Sequence, residues 1–167
     1  MKQCNNGTMK RGFTLIEVIL AIFIFMVGIS TLAVVIEKSV ASTAEIKSKL
    51  IASYLSQEGI EVARSIRDSN WLAKRDNPDI SWDAGLAEGV YEADYQSQAL
   101  STYSGNYLNQ DGNGFYSYSS GVPTIFKRKI TISEKTANSL KVSSRIEWEI
   151  KTRPYNIEAV EYLYNWK

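Results

Sequence analysis

KRGFTLIEVILAIFIFMVGISTLAVVI, the stretch from Lys10 to Ile36, decides how the rest of the chain is interpreted. From Phe13 onward it holds about 24 residues with one charge, enough for a helix that crosses a bilayer. Lys10 and Arg11 directly precede the apolar run, so the positive-inside tendency places the amino terminus in the cytoplasm and the rest outside. A secretory signal peptide has a shorter apolar run and a small-x-small cleavage site after it. No clear site follows here, so the run is predicted to anchor the chain in a membrane.

Glu17 is the one charged residue inside this apolar run. A carboxylate costs about 2–3 kcal/mol near the centre of a bilayer and less near its edge. A plain membrane anchor gains nothing from that cost, which predicts that the side chain has a partner. The alternative is that Glu17 lies close enough to the interface to reach water.

The segment from Lys10 to Val18, KRGFTLIEV, resembles the class III signal of type IV prepilins and pseudopilins. The resemblance implies that a prepilin peptidase cuts after Gly12 and then methylates the new amino terminus, Phe13. It also implies that Glu17, the fifth residue of the mature chain, pairs with the amino terminus of a neighbouring subunit during assembly. Such a pair is physically reasonable, because a buried acid and a buried ammonium offset each other's desolvation only when they are hydrogen-bonded together.

The same resemblance implies partners and a location. The expected partners are prepilin peptidase, the other pilins of the filament, and the inner-membrane platform with its assembly machinery. The chain is expected in the bacterial inner membrane first, and then in an extracellular pilus or a periplasmic pseudopilus. Many major pilins have a proline within the mature helix at the place where this chain has Val34. No proline occurs before Pro78, so the helix is predicted to be continuous, with Gly28 as its weak point.

Composition excludes several classes of site. The chain has no histidine, which removes serine–histidine and cysteine–histidine nucleophile systems and histidine-ligated metal sites. Its one cysteine, Cys4, lies in the predicted leader, so no intrachain disulfide is expected. The net charge of +1 does not favour nucleic acid as a partner. We therefore predict a chain that is not an enzyme and needs no cofactor, and whose leader starts at Met1 or at Met9.

Residues 37–68 alternate apolar and polar residues at helical spacing and contain no proline. One apolar stripe consists of Val40, Ala44, Ile51, Leu55, Val62 and Ile66, and it is widened by Ile46, Leu50 and Tyr54. We interpret Phe13 to about Arg67 as one helix. Its length of roughly 80 Å exceeds the thickness of a bilayer, so its second half must pack outside the membrane. The stripe is therefore predicted to be the core face of a globular head.

The remaining residues predict loops followed by a sheet. Residues 69–89 are turn-rich, with Trp71 and Trp82 available to fix them, and residues 101–123 indicate a long loop or an irregular hairpin. Strands are predicted at Val90–Tyr95 and, from period-2 alternation, near 125–132, 140–150 and 156–166. The last three strands are joined by a hairpin loop at Ser133–Ser139 and a turn at Arg153-Pro154.

A long helix packed on one face of an antiparallel sheet is an α+β arrangement, and it is the architecture of the pilin fold that the resemblance implies. The predicted division is a prepilin leader over residues 1–12 and a transmembrane or filament-core helix over 13–36. The amphipathic half of the same helix follows over 37–68, and the globular head covers 69–167.

Two segments are similar to minor pilins of the pilus-modification, or V-type, group. The first runs from Ser56 to Trp71, and the second is the Leu-x-x-Trp ending from Leu163 to Trp166. The leading hypothesis is therefore a minor type IV pilin that is assembled into a filament. The alternatives are a type II secretion pseudopilin and a signal-anchored extracytoplasmic binding domain that does not polymerise.

Three polar groups in the head are weaker candidates for sites. Asp111 and Asn113 lie in a DGNG segment that favours a turn over half of a calcium loop, because calcium needs six to eight oxygens. The basic cluster 127–129 is predicted to be a solvated strand face rather than a DNA-binding patch. Glu58 with Glu61, and the acidic loop 76–83, are predicted to be surface carboxylates rather than acid–base pairs.

Overall fold

The computed structural model describes residues 12–166, which fall in two units, Met1–Ala44 and Glu45–Lys167. One helix, α1, runs from Leu15 to Lys74. The strands of the second unit are β1 Gly89–Glu92, β2 Ser101–Thr102, β3 Asn109–Gln110, β4 Tyr116–Ser117, β5 Val122–Pro123, β6 Lys127–Ser133, β7 Ser139–Ile150 and β8 Arg153–Tyr164. The predicted α+β class, a long helix packed on an antiparallel sheet, is confirmed.

In the first unit, every described side chain of α1 up to Ala44 is exposed. The hydroxyl groups of this stretch bond back to the helix itself. Ser30 Oγ donates to the Met26 carbonyl at 2.8 Å, and Thr31 Oγ1 donates to the Gly28 carbonyl at 2.8 Å. These two polar side chains therefore need no water, and the surface of the helix from Val18 to Ile36 is almost wholly apolar.

The helix ends seven residues later than predicted, at Lys74 instead of about Arg67. The sequence favoured an earlier end because Asn70 is a common turn residue. In the structure, Asn70 Nδ2 donates to the carbonyls of Trp82 and Ala84, at 3.1 and 2.8 Å. Asn70 therefore binds the following loop from within the helix, and the helix continues until Trp71 is buried against the core.

In the second unit, α1 packs on the sheet through one face. That face consists of Ala52, Leu55, Ser56, Gly59, Ile60, Val62, Ala63, Ile66, Arg67 and Trp71. The predicted stripe is correct from Ile51, which is half-buried, through Leu55 to Ile66, but it is wrong earlier in the helix, because Val40 and Ala44 are exposed.

The three residues expected to widen the stripe, Ile46, Leu50 and Tyr54, are also exposed, so that prediction is wrong. Each residue of a helix turns by about 100°, which places Ile46 about 180° from Leu55. Gly59 lies near the centre of the buried face, and on the same count Leu50 lies about 180° and Tyr54 about 140° from it. Apolar residues at a spacing of four formed a second face of the helix rather than an extension of the first.

The main sheet has the order β2-β1-β6-β7-β8, and all of its pairs are antiparallel. The alternation predicted for the three long strands is present. The inner face buries Ile130, Ile132, Leu140, Val142, Ile146, Trp148 and Leu163 against α1.

The predicted turn at Arg153-Pro154 is wrong, because these are the first two residues of β8. The turn consists of Lys151 and Thr152, whose φ angles are 48° and 68°. Positive φ at both loop positions is the mark of a type I′ turn, a two-residue hairpin loop whose twist matches that of the strands. Pro154 is accommodated because β8 is an edge strand, where a residue without an N–H costs no ladder bond.

Residues 101–123, predicted as a loop or an irregular hairpin, contain a second sheet of very short strands in the order β4-β3-β5. Two buried carboxylates hold this region to the end of β1. Glu92 accepts hydrogen bonds from Ser104 N and Oγ, at 2.9 and 2.7 Å. Asp94 Oδ2 accepts one from Tyr118 N at 3.1 Å. The strands are short because these side-chain bonds replace part of the usual backbone ladder.

The two ends of the head are fixed by tryptophans. Trp82 is buried, and its Nε1 donates to the Ala137 carbonyl at 3.2 Å, which ties the 69–89 loop to the β6–β7 hairpin. Leu163 is fully buried, and the ring of Trp166 lies 4.2 Å from that of Trp71 in an edge-to-face contact. The Leu-x-x-Trp ending therefore packs the carboxyl end of the chain against the end of α1.

Candidate functional site

The site begins at Gly12, where the described residues begin, and ends in the first turn of α1. Gly12, Phe13 and Thr14 are not helical, and α1 starts at Leu15. Thr14 Oγ1 accepts a hydrogen bond from Glu17 N at 3.4 Å, and Glu17 Oε2 accepts one from Thr14 N at 3.5 Å. This reciprocal pair is a capping box, with Thr14 as the N-cap and Glu17 three residues later.

The capping box gives Glu17 a function within its own chain. Its carboxylate lies at the positive end of the helix dipole and satisfies one of the backbone N–H groups that a helix start leaves unpaired. Both bonds are at the long end of the hydrogen-bond range, so they are weak. The carboxylate therefore has a local partner that a stronger donor can replace.

The signal for this cap was present in the sequence but was not used. Thr14-Leu15-Ile16-Glu17 fits the Thr-x-x-Glu pattern that precedes an apolar helix. The cost of a charge in the membrane, by contrast, indicates a partner on another subunit. The structure shows that a nearer partner, the backbone N–H of Thr14, exists as well.

The helix that follows has the properties of a membrane segment. Among the described residues, α1 is the helix that is long and apolar enough to cross a bilayer, and none of its most apolar window is buried. Phe13, the residue before the cap, has 83% of its surface exposed. An apolar helix with no cover from its own chain needs lipid or another protein around it.

Comparison with known families bears on the same residues. Residues 8–33 match the family model of the prokaryotic N-terminal methylation motif. The chain carries the class III signal of type IV pilin-like proteins. No curated protein and no solved structure shows a significant match to the chain.

The class III signal implies processing by prepilin peptidase and association with a membrane. Of its residues, Lys10 and Arg11 lie outside the described residues. At Gly12, a Cβ atom would meet nothing within 4 Å, and the backbone from Gly12 to Thr14 is open to a second protein. The roles of Gly12 and Phe13 in cleavage and methylation, and of Glu17 in assembly, remain predictions.

The carboxylates Glu58 and Glu61 do not form a pair with each other. Glu58 Oε1 accepts a bond from Arg128 Nη2 at 2.9 Å, and the side chain of Arg128 is fully buried. Glu61 forms an ion pair with Arg64, which also binds Glu161 on β8. The hydrogen bond to Glu161 raises the pKa of Arg64. Glu58 links α1 to β6, and Arg64 links α1 to β8, whereas Glu61 binds only within the helix. The pairings with β6 and β8 join residues far apart in the chain and could not be predicted from either segment.

The basic cluster 127–129 is divided between the two faces of β6, so the predicted solvated face is wrong for Arg128, whose side chain is fully buried. Arg128 points inward, where Nη1 also donates to the Ala93 carbonyl at 2.8 Å. Lys127 Nζ lies 4.4 Å from the centre of the Tyr107 ring, and Lys129 Nζ lies 3.9 Å from a Glu147 oxygen. The three cations have separate partners rather than a shared outward surface.

The DGNG segment forms the tight turn between β3 and β4. Asp111 Oδ1 accepts hydrogen bonds from Asn113 N and Phe115 N, both at 2.9 Å. One carboxylate oxygen is therefore used by the backbone of the turn. Within residues 12–166, no group of three or more Asp, Glu or Cys side chains is placed to hold a metal ion. Calcium binding at Asp111 and Asn113 is the weaker alternative to the predicted turn, and titration calorimetry of the full chain with calcium tests it.

The acidic loop also separates into individual contacts. Asp83 Oδ2 lies 2.8 Å from Lys135 Nζ. Burial raises the pKa of Asp83, but hydrogen bonds from Lys135 and Ser81 outweigh it, so the pKa lies below its ordinary value. Asp76 and Asp79 are exposed. This loop is a structural contact with the β6–β7 hairpin.

Proposed function

We propose that this chain is a minor type IV pilin, a structural subunit rather than a catalyst. A prepilin peptidase cleaves it between Gly12 and Phe13 and methylates the new amino terminus. The apolar part of α1 holds the chain in the inner membrane with its amino terminus in the cytoplasm, and then enters the core of a filament. The other pilins and the inner-membrane platform are its partners during that transfer.

The observation that carries the proposal is the methylation motif placed on an uncovered apolar helix. Residues 8–33 match the motif, and the helix residues within that range are exposed in the chain. A helix of this kind is stable in lipid and equally stable among other apolar helices. The transfer from membrane to filament therefore exchanges one apolar environment for another.

Glu17 is proposed to change partners in that exchange. Its present bond to Thr14 N is long and involves a neutral donor. The methylated ammonium of Phe13 in a neighbouring subunit is a charged donor, and charge-assisted bonds are about twice as strong as neutral ones. We therefore expect the Glu17 carboxylate to exchange its weak bond to Thr14 N for a stronger bond to that ammonium.

Processing is tested by mass spectrometry of membranes from cells with and without a prepilin peptidase. The expected result is loss of residues 1–12 and gain of one methyl group on Phe13 only when the peptidase is present. Gly12→Val is expected to block cleavage, whereas Gly28→Ala, the matched change within the helix, leaves it intact. A chain that keeps residues 1–12 in the presence of the enzyme would sink the proposed processing.

Assembly is tested with three variants of the full chain. Glu17→Ala is expected to insert in the membrane normally but to be lost from sheared filaments. Glu37→Ala, a carboxylate beyond the apolar run, is the control and is incorporated. Glu17→Gln keeps the capping pattern and removes the charge, since glutamine also serves in a capping box. Normal incorporation of Glu17→Gln would show that the cap, not the ion pair, is what assembly needs.

Two other functions use the same amino-terminal signal or anchor. A type II secretion pseudopilin would be processed in the same way but would require the secretion system rather than a pilus. A signal-anchored binding domain predicts that Glu17→Ala changes nothing. The minor role is supported by the similarity of 56–71 and 163–166 to V-type minor pilins, and immunogold labelling along the whole filament shaft would contradict it.

A further inference from the structure

The last strand of the chain, β8, is an edge strand of the main sheet. It is 12 residues long and, within residues 12–166, pairs only with β7, at the end of the order β2-β1-β6-β7-β8. The pairing is continuous from Arg153 opposite Ile150 to Tyr164 opposite Ser139, without a bulge. The other edge strand, β2, has only two residues. The sheet thus ends on one side in a long, regular strand.

The hairpin turn decides which backbone groups of β8 are free. The two-residue loop at Lys151–Thr152 makes Ile150 and Arg153 a hydrogen-bonded pair, and bonded pairs alternate from there. Every second residue of β8 therefore points its N–H and C=O away from β7. These outward residues are Asn156, Glu158, Val160, Tyr162 and Tyr164. Their backbone groups form an unpaired row along the free edge.

This edge keeps only part of the protection that edge strands usually have. Proteins blunt such edges with charged side chains, especially lysine, with proline or with a bulge. Pro154 lies at the beginning of β8, and the charged residues of 155–164, YNIEAVEYLY, are Glu158 and Glu161, of which Glu161 is paired with Arg64. Val160 and Tyr164 are more than half exposed on the outer face, while Ala159 and Leu163 face the core. A long edge strand with exposed apolar residues and no bulge is a template for pairing with another chain.

A groove runs beside this edge, between β8 and α1. It has a volume of about 240 Å³ and is lined by Gln57, Ile60, Glu61 and Arg64 of the helix and by residues 159–161 of β8. Arg64 forms ion pairs with both Glu61 and Glu161. One cation therefore faces two carboxylates, and the groove keeps a negative charge.

We propose that the free edge of β8 accepts an extended strand from a different subunit of the filament. The inference rests on the proposed pilin function and names a contact that the subunit makes. An unpaired row of backbone donors and acceptors selects a strand as its ligand, because only a strand matches its spacing. The exposed Val160 and Tyr164 select apolar side chains on the outer face. The two carboxylates of the groove select a basic side chain on the inner face.

The occupant is a different subunit rather than a second copy paired through β8. Two β8 strands that pair antiparallel are related by a two-fold axis perpendicular to the sheet. That axis reverses the part of α1 that lies on the sheet, Glu45 to Lys74, so the two heads would point in opposite directions. Subunits of a filament follow one another head to tail and all point the same way, so two copies cannot meet in this way.

The test uses the full-length chain and filaments sheared from cells that produce it. Hydrogen exchange is measured residue by residue, first for the chain in detergent and then for the filament. The amides of Glu158, Val160 and Tyr162 are expected to exchange rapidly in detergent and to be protected in the filament. The amides of Ala159 and Glu161, which bond to β7, are expected to be protected in both. Equal exchange of all five amides in the two samples overturns the proposal.

Variants of the edge separate pairing from folding. Val160→Pro removes an N–H that points only to the free edge, and Val160→Thr keeps that N–H and the branched shape. A photo-reactive phenylalanine at Tyr162 should cross-link to a strand of another filament protein. Val160→Pro should reduce the yield about fivefold or more, the factor that one lost hydrogen bond produces, and Val160→Thr should not. If Val160→Pro does not fold, Tyr162→Lys replaces it, with cross-linking from position 160.

The outcomes distinguish this inference from the proposed function. Loss of residues 1–12 and entry into filaments are followed in the same samples. A chain that is processed and assembled while the edge stays unprotected overturns the inference alone. A cross-link to β8 of a second copy also overturns it. A chain that is neither cleaved nor assembled contradicts the proposed function itself.

Discussion

The two parts of α1 have the same secondary structure and opposite surroundings. From Leu15 to Ala44 every side chain is exposed, whereas from Glu45 to Lys74 one face is buried under a sheet. The first part is apolar all round from Val18 to Ile36, and the second meets the sheet of the head through one buried face. Helix formation is therefore not what distinguishes them. The difference is in what each part needs as a neighbour: lipid or foreign helices for the first, and its own sheet for the second.

The two helical glycines show the same contrast in a single residue type. A Cβ atom on Gly28 would meet nothing within 4 Å, but one on Gly59 would lie 2.2 Å from Ser144 Oγ. Gly59 is therefore required for the close approach of helix and sheet. Gly28 is only a flexible point in an otherwise regular helix.

The four tryptophans all lie in the second unit, so their fluorescence reports the unfolding of the head without a signal from the first unit.

The largest expected effect comes from truncating the buried face. Leu55→Ala should reduce the free energy of unfolding of the head by about 2–5 kcal/mol, because Leu55 is buried in the cluster with Phe126 and Trp148. Urea unfolding of the full chain in detergent, followed by tryptophan fluorescence, measures the change. Leu50→Ala, five residues earlier on the exposed side, should cost no more than about 0.5 kcal/mol. Equal losses for the two variants would mean that the helix does not present these faces.

The second effect comes from the ion pair that joins the helix to the sheet. Glu58→Ala leaves the fully buried Arg128 without its carboxylate. Breaking a buried pair costs about 3–5 kcal/mol, and because Glu58 itself is a third exposed we expect about 2–3 kcal/mol. The same urea titration measures it.

Glu61→Ala is the matched control for this pair. Its partner, Arg64, keeps Glu161, so the expected loss is about 0.5 kcal/mol or less. Adding Arg128→Met to Glu58→Ala should restore part of the stability, because an apolar side chain needs no counter-charge. A double variant that is less stable than Glu58→Ala alone would show that Arg128 stabilises the head by packing rather than through the pair.

The third effect uses the glycines. Gly59→Ala should cost about 1–3 kcal/mol, because the new methyl group must displace Ser144 or the helix. Gly28→Ala should leave the head unchanged and should raise the helicity of the first part slightly, since alanine is the better helix former. Thermal unfolding by circular dichroism and fluorescence compares them.

A variant of Ser144 tests whether its clash with the new methyl group causes the loss of stability in Gly59→Ala. Its Oγ has no hydrogen-bond partner among the described residues, so Ser144→Gly removes the obstacle without removing a bond. The double variant Gly59→Ala with Ser144→Gly should recover most of the lost stability. If it recovers none, the cost of Gly59→Ala arises elsewhere, for example in a shift of the whole helix.

Much of this architecture could be predicted from local patterns. The apolar run, the long helix and the strands β6, β7 and β8 follow from periodicity, which depends only on residues near one another in the chain. The predicted end of α1 was wrong by seven residues, and the predicted turn before β8 was wrong by two. In both cases a tertiary contact or a backbone twist outweighed local preference: Asn70 bonds to a later loop, and Lys151 and Thr152 adopt positive φ.

The pairings that join distant segments could not be predicted. Arg128 and Glu58 are 70 residues apart, and nothing in the sequence of either indicates the other. The stripe of Ile46, Leu50 and Tyr54 was misassigned because an apolar spacing of four shows that a face exists, but not which face meets the sheet. Within the candidate site the reverse occurred: Thr14 and Glu17 are three residues apart, and their capping box is a local pattern that was open to prediction.

The smallest expected effect is on the pH dependence of the head. Asp83 has a pKa below its ordinary value of 3.8, because its hydrogen bonds from Lys135 and Ser81 outweigh burial. A native carboxyl that binds protons less readily than the unfolded one adds stability above the unfolded pKa, and this is lost as the pH falls through the folded pKa. The urea midpoint should therefore fall as the pH drops from about 5 toward 3. Asp83→Asn should reduce that fall, and Asp76→Asn, an exposed change in the same loop, should not.

Because Asp83 lies in the head, the acid transition should appear in tryptophan fluorescence while the helical signal of residues 15–44 in detergent persists. A helical signal that decreases in step with the fluorescence would show that the two parts of α1 unfold together, and would contradict the contrast between them.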